Sequence, residues 1–216
     1  MEYISYIQRN TGLMLEYTNN HFSLVLAAII ISLLLWVPVG VLITRSEKWA
    51  ARVLSIANTI FCIPSLSLFA VMVTIPALGL GRRSALVALV LYAMMPLVRN
   101  VYQGVKGVDK SVIEAAKGMG MGPFRILWEI QLPLATPVIF AGFRITVVMT
   151  TGIAAIATYI GERNLGRLIA EGLTRFHVEM IVVGALFIAV IAIALDSVLG
   201  MIEKRIVPRG LRIGRS

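Results

Sequence analysis

Residues 22–43 read FSLVLAAIIISLLLWVPVGVLI, a stretch that no Asp, Glu, Lys or Arg interrupts. An apolar run of about 18 residues or more is typical of a helix that crosses a lipid bilayer, because a helix satisfies its own backbone polar groups inside hydrocarbon. The stretch therefore predicts a transmembrane helix, and it indicates that the chain is an integral membrane protein.

Four further apolar runs follow, at residues 53–75, 84–98, 134–160 and 180–202. Together the runs predict an all-α polytopic membrane bundle of about five transmembrane helices. We expect residues 1–20 to form an interfacial or tail segment on the outside. Residues 21–206 are expected to form one transmembrane domain with an inner loop at 99–133, and residues 207–216 a basic inner tail.

The composition excludes an ordinary soluble protein. Of the 216 residues, 58% are hydrophobic and 14% are charged, and the mean hydropathy is +0.88, whereas a soluble domain is about one quarter charged. The net charge of +9 is divided among the loops rather than gathered in one basic patch, which argues against nucleic acid as a partner. A single cysteine, Cys62, and two distant histidines offer no disulfide framework and no metal-ligand spacing.

The distribution of Lys and Arg predicts the orientation of the bundle. With the N-terminus outside, the inner segments hold thirteen of these residues and the outer segments six. The inner set is Arg45, Lys48, Arg52, Arg99, Lys106, Lys110, Lys117, Arg125, Lys204, Arg205, Arg209, Arg212 and Arg215. Inner loops of membrane proteins carry the excess of positive charge, so we expect the N-terminus outside and the C-terminus in the cytoplasm.

The inner loop contains a helix, a glycine turn and a second helix within residues 108–134, VDKSVIEAAKGMGMGPFRILWEIQLPL. Ser111 and Glu114 stand in the capping-box arrangement, which predicts a helix from about Val112. The turn glycines Gly118, Gly120 and Gly122 end that helix, and a second short helix is expected from Pro123 to Pro133. The residues alone leave two interpretations open: a docking element for a cytoplasmic partner, and a hairpin that lies on the bilayer surface.

The same segment resembles the EAA signature of ABC-importer permeases. The signature residues here are Glu114, Ala115, Ala116, Gly120, Ile130, Gln131, Leu132 and Pro133, with every spacing of the family pattern kept. The resemblance extends over most of the chain. It implies the type I importer fold, five core spans per subunit, and a coupling helix within residues 114–122 that docks on a cytoplasmic ATPase.

The resemblance also implies the partners. They are a P-loop ATPase that binds ATP and Mg²⁺, an extracytoplasmic substrate-binding protein, and a second permease subunit, identical or homologous, within the lipid of the cell membrane. This chain has no G-x-x-x-x-G-K-[ST] loop of its own. We therefore expect a transport subunit with no catalytic residues and no cofactor, and not an enzyme.

A narrower resemblance is to the permeases of osmoprotectant importers, which carry glycine betaine, choline and carnitine. It rests on residues 63–66 (IPSL), 96–100 (PLVRN), 104–108 (GVKGV), 141–144 (AGFR) and 207–211 (VPRGL). One departure is the segment 160–166, IGERNLG, where that family often has a glycine-rich stretch. Its Glu162 and Arg163 are candidates for docking a different binding protein.

Polar residues within the spans are candidates for the translocation path. Asn58, Thr59, Ser65 and Ser67 lie along the second predicted span, and they equally suit ordinary hydrogen bonds between helices. Arg144 and Asp196 are charges inside the fourth and fifth spans, where such residues usually face the bundle and pair. We expect an ion pair between them; the alternative is that Arg144 binds backbone carbonyls and Asp196 extends toward the inner surface.

Other functions compete with the osmoprotectant importer. One is an ABC importer for another small solute, such as an amino acid. Another is a self-contained channel or secondary transporter, which would not need the helix–glycine–helix segment and would work without ATP. A membrane-embedded enzyme would need clustered His, Asp or Glu within the spans, and Asp196 stands alone there among these residue types.

Overall fold

The computed structural model describes residues 2–207, a range in which every regular element is a helix. The α-helices are α1 (Glu2–Arg9), α2 (Thr11–Leu42), α3 (Glu47–Cys62), α4 (Ser65–Val73), α5 (Arg82–Lys106), α6 (Lys110–Gly118), α7 (Pro123–Ile126), α8 (Leu132–Ala154), α9 (Gly166–Arg175) and α10 (Val178–Ile206). Short 3₁₀ segments cover Ile43–Arg45 and Ala155–Ile160, and a π-helical segment covers Leu127–Gln131. Nearly all of the predicted inner tail, residues 208–216, lies outside the described residues.

Four continuous helical stretches in the described range are long and apolar enough to cross a membrane: Thr11–Arg45, Arg82–Lys106, Pro123–Ile160 and Val178–Ile206. A fifth span results if the bent pair α3–α4 crosses as one unit. The predicted all-helical membrane bundle of about five spans is therefore confirmed. Each long helix is longer than the apolar run within it, because polar residues next to the run are helical as well.

The first long helix begins within residues 1–20, which we expected to form an interfacial or tail segment. Helix α2 starts at Thr11, so residues 11–20 are its first turns. Met14 and Tyr17 on these turns are buried against Leu165, Leu168 and Met180. This packing explains why the helix starts well before the apolar run at residue 22.

The second apolar run is broken rather than straight. Helices α3 and α4 meet at Ile63–Pro64 with a bend of 96°, which corrects the single span predicted for residues 53–75. Proline lacks a backbone N–H and disfavours helical geometry in the residue before it, and Ile63 is extended, with φ −67° and ψ 129°. The Tyr92 hydroxyl of α5 donates to the Ile63 carbonyl, so the break is held against the bundle.

Helix α5 is the centre of the bundle. It packs against α2, α3, α4 and α8, and 61% of its most apolar window is buried, against 22–33% for the other continuous spans. The main apolar core lies between α2, α4, α5 and α8, where Leu24, Phe69, Leu89 and Val147 are almost fully buried. Helix α10 packs on α8, α9 and α1 at the side of this core.

The predicted second short helix of the inner loop does not stop at Pro133. Residues 123–160 are one continuous helical stretch, in which Pro133 follows the π-helical segment Leu127–Gln131. Pro133 has no N–H to donate to the carbonyl four residues earlier, and a π-segment is a shift in hydrogen-bond register that helices tolerate. The helix therefore continues through Pro133, whereas the helical structure is interrupted at Pro64.

At the opposite end of the bundle, away from α6, Arg82 at the start of α5 joins α2 to the loop that precedes α9. Arg82 Nη1 lies 3.1 Å from Glu162 Oε1, and Arg82 Nη2 donates to Ser23 Oγ at 2.9 Å. Glu162 is buried, and burial raises the pKa of its carboxyl, an effect that the Arg82 guanidinium offsets only in part. Glu162, one of the two candidates for docking a binding protein, is thus an internal contact of this chain, whereas Arg163 is exposed and its Nη1 lies 3.4 Å from Glu16 Oε1. Docking of a binding protein at these residues stays a prediction.

Candidate coupling surface and intramembrane ion pairs

The EAA residues lie on α6, a short helix with a defined start. Asp109, not Ser111, is its N-cap: Asp109 Oδ1 accepts a hydrogen bond from the Ser111 backbone N–H at 2.8 Å. This bond lowers the pKa of the Asp109 carboxyl. The helix therefore begins at Lys110, two residues before the start that the Ser111–Glu114 pattern predicted, because an Asp at the N-cap satisfies the same free backbone donors.

The glycine turn ends α6 through a pair of backbone hydrogen bonds. The Met121 N–H donates to the Ala116 carbonyl at 3.1 Å and the Gly120 N–H to the Lys117 carbonyl at 2.9 Å, the pattern of a Schellman motif. Gly120 has φ +80°, the left-handed conformation that glycine adopts without strain. Gly118 is the last residue of α6 and Gly122 is the N-cap of α7. The three glycines therefore have different structural roles: helix end, left-handed turn and helix start.

Helix α6 exposes most of its EAA face. Glu114 and Ala115 are exposed, whereas Ala116 is fully buried. Its main packing contact is with α7, and Val112 and Met119 at its two ends are 39% and 74% exposed. The face therefore offers small and apolar groups to a surface outside this chain.

The Leu132–Pro133 end of the signature is tied into the bundle. Leu132 packs on a small core formed by Val105, Leu127 and Ala135. The Gln131 side chain reaches the Val105 carbonyl at 3.4 Å. The signature thus has an exposed first half and a second half that is packed against α5 and α8.

The intramembrane charges form a cluster of three groups. The Arg144 guanidinium of α8 binds both carboxylate oxygens of Asp196 at 2.8 Å, and its Nη1 lies 2.9 Å from Glu203 Oε2. The predicted Arg144–Asp196 contact is confirmed, although its role in transport stays a prediction. Glu203 was missed; its place on α10, seven residues after Asp196 and on the same helix face, was the available signal.

The other path candidates do not form one continuous wall. Asn58 and Thr59 lie on α3, and Ser65 and Ser67 on α4, beyond the 96° bend. Three of them are exposed on this chain and Ser65 is half-buried. The Thr59 hydroxyl donates to the Ser55 carbonyl of its own helix at 3.0 Å. Their assignment to a path stays a prediction.

Comparison with solved structures shows the fold. A chain of the MetNI methionine ABC transporter, solved in inward-facing conformations, superposes with a TM-score of 0.82 over 93% of this chain and 99% of that chain. The two sequences are 20% identical, so this likeness speaks for the type I permease architecture alone.

Sequence relatives cover the whole length. The chain is 39% identical over 209 residues to the choline transport system permease protein OpuBB of Bacillus subtilis (strain 168), covering 97% of this chain and 95% of that protein. It is 36% identical over 215 residues to the osmoprotectant import permease protein OsmW of Salmonella typhimurium, covering 98% and 100%. Residues 37–209 match the family described as binding-protein-dependent transport system inner membrane component. The chain therefore belongs to this family, the membrane-spanning permease subunits of ABC importers.

Proposed function

We propose that the chain is the permease subunit of an importer that takes up quaternary-amine osmoprotectants: glycine betaine, choline and carnitine. Two relatives that match nearly the whole chain are named for choline transport and for osmoprotectant import, and these names support the substrate class. The structural similarity to the methionine transporter is not an argument for an amino-acid substrate, because at 20% identity it shows only a shared fold.

The exposed face of α6 is the observation that carries the coupling role. Glu114 and Ala115 face out of the chain, Ala116 is fully buried, and Leu132 packs against the bundle. We infer that a cytoplasmic P-loop ATPase seats on this face and supplies ATP hydrolysis, with α6 transmitting its movement to α5 and α8. A second permease subunit and an extracytoplasmic binding protein complete the importer, with the N-terminus outside and the C-terminus inside.

A tagged pull-down from detergent-solubilised membranes tests the coupling role. The wild-type chain is expected to retain a P-loop ATPase, and the double variant Glu114→Arg with Gly120→Pro is expected to lose it. The first substitution reverses a charge on the exposed face. The second removes the Gly120 N–H that bonds the Lys117 carbonyl and imposes a negative φ where the chain has +80°.

Glu16→Arg is the matched control, because it makes the same charge reversal on an exposed carboxylate at the opposite end of the bundle. This variant should retain the ATPase. Loss of the ATPase in both variants would indicate misfolding, and circular dichroism of the purified proteins separates that case. Absence of an ATPase from the wild type would refute the coupling role.

Uptake by cells that lack other osmoprotectant transporters tests the substrate class. With the chain and its partner subunits expressed, we expect accumulation of labelled choline, glycine betaine or carnitine that stops when cellular ATP is depleted. Uptake that persists without ATP would favour the self-contained transporter. ATP-dependent uptake of an amino acid in place of these amines would keep the importer and overturn the substrate class.

A further inference from the structure

A cavity of about 600 Å³ opens beneath α6, between the coupling segment and the ends of the membrane helices. Its lining residues are Thr44, Arg45, Lys106, Val108, Lys110, Ile113, Pro123, Phe124, Leu127 and Gln131. Only part of this set belongs to the signature segment, and the coupling role does not require a cavity there.

The cavity lies beside the inner ends of two spans. Arg45 is the last residue of the first span, two residues beyond its apolar run, and Lys106 is the last residue of the 25-residue α5 span. Residues at span ends lie at the height of lipid head groups. The cavity is therefore placed where a lipid phosphate would reside.

The charge of the lining is entirely positive. Arg45, Lys106 and Lys110 face the cavity, and no Asp or Glu is among its lining residues. Lys106 is bound to Glu47 at 2.5 Å. Within residues 2–207, neither Arg45 nor Lys110 has an ion-pair partner, so two cations are left for an anionic occupant.

Apart from Thr44 and Gln131, the rest of the lining is apolar, as an amphiphile requires. Val108, Ile113, Phe124 and Leu127 form this part. Phe124 is 66% exposed and its ring lies 6.0 Å from that of Trp128, which is 56% exposed. Aromatic side chains at a span end are typical of the membrane interface, and they offer a surface along which acyl chains can lie.

We propose that this cavity is a binding site for the phosphate of an anionic phospholipid, held by Arg45 and Lys110 with the acyl chains along Phe124 and Leu127. Basic pockets between helices at the cytoplasmic surface suit such head groups. The site goes beyond the proposed transport function and does not rest on its substrate. A lipid seated there would contact both the ends of the spans and the base of α6.

Native mass spectrometry of the purified full-length chain, titrated with phosphatidylglycerol and with phosphatidylcholine, tests the site. We expect wild type to bind phosphatidylglycerol in preference, and the double variant Arg45→Gln with Lys110→Gln to bind it about thirtyfold more weakly, at about fivefold per cation. The charge-conserving pair Arg45→Lys with Lys110→Arg should keep the affinity, which separates charge recognition from misfolding.

The matched control is Lys48→Gln with Arg52→Gln, which removes one Lys and one Arg from α3 on the same side of the bundle and outside the cavity. This control should bind phosphatidylglycerol as wild type does. Equal weakening in both neutralised variants would overturn the proposal. So would displacement of the lipid by excess inorganic phosphate, which would indicate a free-anion site, or its one-for-one release when the ATPase is added, which would assign the cavity to the ATPase interface.

Discussion

At the scale of single residues, Arg144 pairs with two carboxylates at the contact between α8 and α10. Its guanidinium serves both Asp196 and Glu203, so the cluster carries a net charge of about −1 with every group ionised. Removing the arginine leaves two carboxylates together in a low-dielectric setting. Removing Asp196 leaves the Arg144–Glu203 pair intact.

We predict that Arg144→Leu lowers the free energy of unfolding by about 2 kcal/mol and Asp196→Asn by less than half of that. Breaking a buried pair costs about 3–5 kcal/mol, and these side chains are 26–35% exposed, which reduces the effect. The double variant should recover part of the Arg144→Leu loss. Denaturant titration in micelles measures all three, and strictly additive losses would contradict the pair.

Glu162 gives a pH prediction. Burial raises the pKa of its carboxyl above the ordinary 4.5, so the folded chain binds this proton more tightly than the unfolded chain. The folded state is then favoured as pH falls toward 4.5, and the advantage is lost as pH rises through the raised value. We expect wild type to gain thermal stability relative to Glu162→Gln as pH is lowered from 7 toward 4.5. A relative loss over the same interval would mean that Arg82 dominates.

At the scale of elements, α5 and α8 approach closely at Gly142. A methyl group on Gly142 would lie 2.3 Å from Asn100 Cβ, and neither group is the end of a flexible side chain. The two helices would have to separate to admit it. In contrast, Gly152 on the same helix has open space where its Cβ would lie.

We predict that Gly142→Ala destabilises the chain by about 1–3 kcal/mol through overpacking. Gly152→Ala should be neutral or stabilising by up to about 1 kcal/mol, since alanine is the better helix former. Thermal unfolding in detergent distinguishes them. Similar melting temperatures for the two variants would contradict the close contact.

The element boundaries show what periodicity and apolar runs can predict. The five apolar runs predicted the membrane helices because a segment in lipid must satisfy its own backbone hydrogen bonds, and a helix does so. They did not predict which prolines interrupt helix: Pro64 does, whereas α2, α5 and α8 are continuous through Pro38, Pro96 and Pro137. The difference lies in tertiary contacts, such as the Tyr92 bond to Ile63, which local sequence does not contain.

The candidate site was also predicted only in part. The residues around Glu114 and Gly120 predicted the short helix and its glycine turn, and two charges in apolar runs predicted the Arg144–Asp196 contact. The coupling role of that helix stays a prediction. The burial of Glu162 was missed because it depends on how its loop packs against α5. Glu203 was missed although it follows Asp196 by two helical turns on the same face of α10. The N-cap was misplaced by two residues, since Asp109 and Ser111 both have capping side chains.

At the scale of the whole molecule, the orientation rests on the excess of Lys and Arg at the α6 end. In a Cys62→Ser background, we predict that a membrane-impermeant maleimide labels Leu80→Cys in intact cells and labels Lys48→Cys only after the membrane is opened. Leu80 is 75% exposed, and Lys48 is exposed at the end of the bundle that holds α6. The reverse labelling pattern would invert the proposed orientation.

The central claim is that the exposed face of α6 seats a separate ATPase, and photo-crosslinking tests it most directly. A photo-reactive phenylalanine analogue replaces Ala115 on that face, or Leu15, which is 66% exposed at the opposite end of the bundle. Irradiation of cells should join the Ala115 variant, and not the Leu15 variant, to a protein that carries a P-loop. Crosslinks from position 115 to lipid alone, or to the same ATPase from both positions, would contradict the account.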